Sequence, residues 1–163
     1  MKPRRHSTLG FTFIELVLTL ALLAVMATVA LPMSQLVHQR RQEQVLADAL
    51  REIRQALDAY RRAVDQGRIA LRTGESGFPP NLAVLVEGVV DERSPTRQRI
   101  YFLRRLPRDP LATDADADVD AANTWGQRSH DSPPDEPREG RDVFDVYSRA
   151  QGRGLNGVPY RQW

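Results

Sequence analysis

"HSTLGFTFIELVLTLALLAVMATVALP", from His6 to Pro32, contains the longest apolar run of the chain and, within it, one carboxylate, Glu15. The run Phe11–Met33 covers 23 residues. As an α-helix that is about 34 Å, enough to cross a hydrocarbon core of ~30 Å. A carboxylate inside such a segment costs on the order of 2–3 kcal/mol on insertion scales, and more on others, so Glu15 needs an interface or a partner. A cleaved secretory signal has an apolar region of about 7–15 residues and then a small-residue cleavage site. This run is longer, and Leu31-Pro32-Met33-Ser34-Gln35 closes it. Lys2, Arg4 and Arg5 precede it and Arg40 and Arg41 follow, a small excess that favours an inside N-terminus. These features predict a single-pass anchor with its C-terminal part on the outer side.

Composition narrows the rest. Of 163 residues 41% are hydrophobic, but the apolar run takes so many that the core of the remainder must be small. Twenty-three Lys and Arg against 21 Asp and Glu leave a net charge of +2, without the strong basic field of a dedicated nucleic-acid binder. No cysteine is present, which removes disulfides, thiolate metal sites and a cysteine nucleophile. His6, His38 and His130 lack ligand spacing. No Ser/His/Asp spacing, phosphate loop or pair of catalytic carboxylates stands out, so a non-enzymatic role is expected.

After a polar stretch, Leu46, Leu50, Ile53, Leu57, Tyr60 and Val64 recur at alternating spacings of 4 and 3. That spacing predicts one apolar helix face, with Gly67 as the residue after the helix end. Fewer than three heptads are too few to demand a coiled coil. Asp58 with Arg62, and Arg61 with Asp65, are spaced for weak surface pairs. Pro32, lacking its N–H, is expected either to kink or loosen a continuous helix or to end its first part. Gly74, Gly77, Pro79 and Pro80 mark a loop, and a short helix is expected to start near Pro80 or Asn81, with Leu82, Leu85 and Val86 on one face. Strands are expected at Asp142–Ser148 and, shorter, at Thr124–Arg128. The expected class is α+β, with one long helix and two to four short strands.

The junction at Gly10 carries a family resemblance. A short basic leader ends in Gly10; Phe11-Thr12-Phe13-Ile14-Glu15 and the apolar run follow, with Pro32 21 residues beyond Phe11. This resembles the type IV pilins and pseudopilins, whose class III leaders end in Gly before a Phe-Thr-Leu-Ile-Glu start and a long apolar helix. "FPPNLAVLV", "LPRDPLA", "TWGQRS" and "VFDVYSRAQGRGLNGVPYRQW" are similar to the globular half of the G-type, major pseudopilin of type II secretion systems and allied proteins. The resemblance implies a leader at 1–10, a transmembrane helix at 11–33, the soluble half of the same helix at 34–67 and a globular domain at 68–163 packed on it through a small antiparallel sheet. It further implies that a prepilin peptidase cuts between Gly10 and Phe11 and methylates the Phe11 nitrogen, and that Glu15 pairs with that ammonium on a neighbouring subunit during assembly. Glu15 and Pro32 are then the assembly residues.

The implied function is a structural subunit of a type II secretion pseudopilus. The subunit is stored in the bacterial inner membrane with its N-terminus cytoplasmic and is assembled in the periplasm. Its partners are prepilin peptidase, other pseudopilin subunits and the inner-membrane secretion platform; no nucleic acid is expected. The alternative is a type IV pilin or minor pilin serving adhesion, motility or DNA uptake. Such pilins usually close a C-terminal loop with a cysteine pair, so the absence of cysteine favours secretion.

Major pseudopilins also carry a C-terminal calcium loop with acidic ligands. This chain departs from that pattern. From Arg149 to Trp163 there is no Asp or Glu, and Gln151 stands where an Asp is expected. Asp114, Asp116, Asp118 and Asp120 alternate like the first half of an EF-hand loop, but Val119 replaces the glycine and Trp125 the bidentate glutamate. A solvated loop without a metal cofactor is the expectation there, with a calcium site on these four aspartates as the alternative.

Overall fold

The computed structural model describes residues 12–113 and 118–163, with only the backbone described for 28–32. The chain divides into two compact units, one up to Gln39 and one from Arg40 to Trp163. Helix α1 is assigned without interruption over Phe13–Asp65. Of the two expectations for Pro32, an end to the helix is therefore corrected. A proline removes one bond of the ladder, and the turns on either side carry the helix past it. In the first unit, large apolar side chains such as Phe13, Ile14, Leu18, Leu22 and Met26 are exposed. Among the described residues no helix is long and apolar enough to cross a membrane. The described part of the apolar run is Thr12–Ala27 and Met33, because Phe11 and the side chains of 28–32 fall outside.

In the second unit the predicted stripe is the core. Leu46, Leu50, Ile53, Leu57, Tyr60 and Val64 are all buried, joined by Ala49, Ala56 and Ala63 on the same face. The small alanines let the chain opposite come close, and each fully buried Leu or Ile contributes about 1.5–3 kcal/mol of hydrophobic stabilisation. The helix ends in a Schellman arrangement: the Arg68 amide donates to the Ala63 carbonyl at 2.9 Å and the Gly67 amide to the Val64 carbonyl at 2.8 Å. This requires a left-handed residue, and Gly67 has φ +67°. Arg61 pairs with Asp65 at 3.0 Å as expected. Arg61 also donates to the Ser76 carbonyl, tying the helix end to the next loop.

Short elements cover the stripe. Helix α2, Ala83–Glu87, begins beside Asn81, whose Oδ1 accepts the Val84 amide at 3.1 Å. Leu82 and Leu85, beside and within it, are fully buried. Strands β1 (Val89–Val90) and β2 (Arg99–Ile100) form an antiparallel hairpin. After helix α3, Ala121–Thr124, strand β3 (Trp125–Arg128) pairs antiparallel with β4 (Asp145–Ser148), Trp125 opposite Ser148. The protein is thus a mixed fold of one long N-terminal helix and small antiparallel sheets, two of them among the described residues where one was anticipated. Both predicted strands are present, but the one expected over Asp142–Ser148 is shorter. Strand β4 starts only at Asp145; just before it the Val143 amide donates to the Pro79 carbonyl at 2.8 Å. Trp125 is fully buried and its Nε1 donates to the Pro107 carbonyl at 2.9 Å.

Candidate functional site

Three groups of residues have functional potential. The first is the start of α1. Gly10 and Phe11 lie outside the described residues. Thr12 caps the helix: its Oγ1 accepts the Glu15 amide at 3.3 Å and its carbonyl accepts the Leu16 amide at 3.1 Å. Thr12 and Glu15 thus occupy the first and last positions of a Thr-x-x-Glu capping box, where a carboxylate also suits the positive end of the helix dipole. Spacing alone held that signal, and the sequence reading overlooked it. Glu15 is exposed, and the side chain of Pro32 is not described.

The second group surrounds His130. The sequence spacing offered no Ser/His/Asp constellation, yet the fold assembles Ser129, His130 and Asp142. Asp142 Oδ1 accepts from Ser129 Oγ at 2.6 Å and from the His130 amide at 3.1 Å, and its Oδ2 faces His130 Nδ1 at 3.1 Å. His130 Nε2 lies 3.2 Å from Asp131. Burial pushes the Asp142 carboxyl up, but hydrogen bonds from Ser129, Ser76 and the His130 amide outweigh it, together with the His130 charge, and hold it below the usual carboxylate range. The order of contacts is wrong for nucleophilic catalysis. Ser129 donates to the carboxylate, and the outer imidazole nitrogen meets a second carboxylate, so among the described residues this histidine has no hydroxyl placed to give up a proton. His130, Asp131 and Asp142 edge a cleft of about 460 Å³ that Tyr60, Phe78 and Ile69 also line. Only the turn that brings Ser129 and Asp142 together, 13 residues apart, creates the cluster.

The third group is the C-terminal loop and what holds it. Glu43, buried on α1, accepts the Leu155 amide at 2.9 Å and the Tyr160 hydroxyl at 3.0 Å, both on Oε1. Arg54, further along the same helix, donates to the carbonyls of Val146 at 3.1 Å and Trp163 at 2.6 Å and to Asp145 at 2.8 Å. The rings of Tyr160 and Trp163 pack at a tilt, with centroids 5.5 Å apart. Below the loop, Asp109 is buried, accepting Ser148 Oγ at 2.6 Å and the Leu111 amide at 2.8 Å. Its own amide donates to Thr124 Oγ1 at 3.2 Å.

The residues present do not fit a calcium ion in this loop. Its backbone is held by a carboxylate and a guanidinium from the helix, and the loop has no acid of its own. Asp114 and Asp116 lie outside the described residues. Asp118 and Asp120 are exposed, and Asp120 precedes α3 without a side-chain cap. Among the described residues no group of three metal-binding side chains occurs. Elsewhere Arg68 donates to Asp91 through Nε at 3.0 Å and Nη2 at 2.6 Å. That guanidinium, aided by the Arg93 amide, holds the Asp91 carboxyl below its usual range.

Compared with protein-family models, curated proteins and solved structures, the chain matches none.

Proposed function

We propose that the protein is a pseudopilin-like fibre subunit of a type II secretion system, with a pilin-like arrangement in which the first half of α1 spans the inner membrane. The reading rests above all on one observation. A helix that starts at a Thr12–Glu15 box exposes its apolar side chains through Met26, while the next part of the same element, from Leu46, is the buried core of an α+β unit. Exposed apolar surface of that extent calls for lipid or neighbouring helices. The leader-like Gly10–Phe11 junction supports the same view.

In this reading a prepilin peptidase cuts after Gly10, and the C-terminal unit lies in the periplasm. Freed from the leader, the chain begins with the Phe11 ammonium, four residues before Glu15 in the sequence. In the lone subunit Glu15 sits at the cytoplasmic interface. In the fibre it meets the ammonium of a neighbour, where each charge compensates the burial of the other. Glu15 then sets the axial register of subunits, and Pro32 adapts the helix within the packed bundle. The protein carries out no chemistry in this role; the work of export is mechanical.

Intact-mass and N-terminal analysis of the protein from its native host tests the processing step. The expected first residue is N-methyl-Phe11, and a bulky residue at Gly10 should leave the leader attached. A native N-terminus at Met1 sinks the proposal. The Glu15→Val variant should be processed normally and persist in the membrane but give no fibres. Normal fibres from that variant would remove Glu15 from the assembly mechanism.

A further inference from the structure

Charge is separated along the second unit in a way the fold neutralises only in part. From Arg40 to Trp163 the chain has twenty arginines and twenty carboxylates, so the unit is neutral overall. Yet Glu92–Arg108 holds six arginines and a single acid, and Asp131–Glu139 holds four acids and a single arginine. Arg97, Arg99, Arg104 and Arg105 are exposed, and among the described residues none of them joins an ion pair. Strand alternation explains part of this: Ile100 is half-buried, while Arg99 and Tyr101 on either side of it face out, Tyr101 at 62% exposure. Arg99 is steadied by a bond from its Nη1 to the Glu87 carbonyl at 3.1 Å. Arg104 and Arg105 edge a groove against α1 that contains Glu52.

The acidic segment is as open. Asp131, Asp135, Glu136 and Glu139 are all exposed. The pairs Glu136–Arg138 and Glu139–Arg149 have side chains more than half exposed, and such pairs are weak enough to exchange partners. A polyanion such as DNA would meet the arginines but also the repulsion of the acidic segment. A second copy of this chain offers both signs at once, and complementary patches on one molecule allow a head-to-tail contact that repeats from copy to copy.

We infer that the arginine segment around Arg97–Arg105 docks on the Asp131–Glu139 segment of a second copy, forming a contact between the C-terminal units of neighbouring subunits. This deepens the fibre reading and rests on it for the repetition of the contact. Charged rims of this kind contribute register and encounter rate more than affinity.

The absence of native cysteine makes the test clean. Full-length Arg104→Cys and Glu136→Cys chains are co-expressed and oxidised in membranes. A mixed disulfide dimer is expected, falling about tenfold between ~0.05 and ~0.5 M salt as charges are screened. Each variant alone should give little dimer. Arg104→Glu/Arg105→Glu should lose both the contact, read by cross-linking at other positions in the two segments, and fibres; adding Asp135→Arg/Glu136→Arg should restore them. No mixed dimer in membranes where unaltered protein forms fibres overturns the inference and leaves the fibre reading standing. Mixed dimers without any fibres from unaltered protein uphold the contact and overturn the fibre reading. Single-stranded DNA binding by the full chain that is lost in Arg104→Glu/Arg105→Glu, without a mixed dimer, overturns the inference in favour of a nucleic-acid partner.

Discussion

Replacing Glu43 by alanine probes the contact that organises the C-terminal loop. The carboxylate is 9% exposed and accepts two donors, Leu155 N–H and Tyr160 O–H. Removing it leaves a backbone amide and a partly shielded hydroxyl without this acceptor, at about 1–3 kcal/mol each, or roughly 2–6 kcal/mol together if water does not replace it. Glu43→Gln keeps an oxygen acceptor but loses the charge, which roughly halves such bonds, so a loss of about 1 kcal/mol is expected. Tyr160→Phe removes one donor and should fall near the Gln variant at about 1 kcal/mol. The expected order is Glu43→Ala most damaging, then the other two.

Denaturant titration of the full chain in detergent, followed by Trp fluorescence, gives the midpoint shift, and hydrogen exchange at the Leu155 amide gives the local effect. Exchange there should accelerate at least about tenfold in Glu43→Ala, the equivalent of ~1.4 kcal/mol. Calcium or chelator should leave both readouts of the parent protein unchanged. If Leu155 exchanges at the parental rate in Glu43→Ala, the loop is not held by this carboxylate. If calcium raises the midpoint of the parent, a metal adds to what the helix side chains do.

Ile53 is fully buried in the α1 stripe, so Ile53→Ala should lower stability by about 2–5 kcal/mol in equilibrium denaturation. Gly88 has φ +75°, and a Cβ there would lie 2.9 Å from the Ile100 carbonyl oxygen; Gly88→Ala should cost about 1–3 kcal/mol and loosen the β1–β2 hairpin, read by exchange at its amides. The folded Asp142 carboxyl is held below its ordinary value of 3.8. Its stabilising contribution is therefore complete above that value and is lost as pH falls through the lower folded value, and Asp142→Asn should show a shallower acid loss of stability in pH-dependent melting. Asp109→Ala removes the acceptor for Ser148 Oγ and the Leu111 amide and should lower stability in the same titration by about 2–4 kcal/mol.

What could be read from the sequence is what depends on near neighbours. The stripe from Leu46 to Val64 was legible because a helix repeats every 3.6 residues and each apolar side chain of one face must be covered. Gly67 was legible because few other residues accept a left-handed φ. Strands were expected at Thr124–Arg128 and, from its β-forming residues, at Asp142–Ser148, close to those found but without their pairing, and the hairpin joining Val89–Val90 to Arg99–Ile100 left too short a pattern to see. Tertiary structure alone decided the polar contacts between residues far apart in sequence. Glu43 meets Leu155 and Tyr160 across 112 and 117 positions, and Arg54 meets Trp163 across 109. Nothing in the local composition around a glutamate on a polar stretch of helix says that its carboxylate is buried. Ser129, His130 and Asp142 likewise become a cluster only when a loop folds back and closes hydrogen bonds that no periodicity encodes. Side-chain hydrogen bonds are short-ranged and directional, so they form only after packing has brought distant residues within about 3 Å.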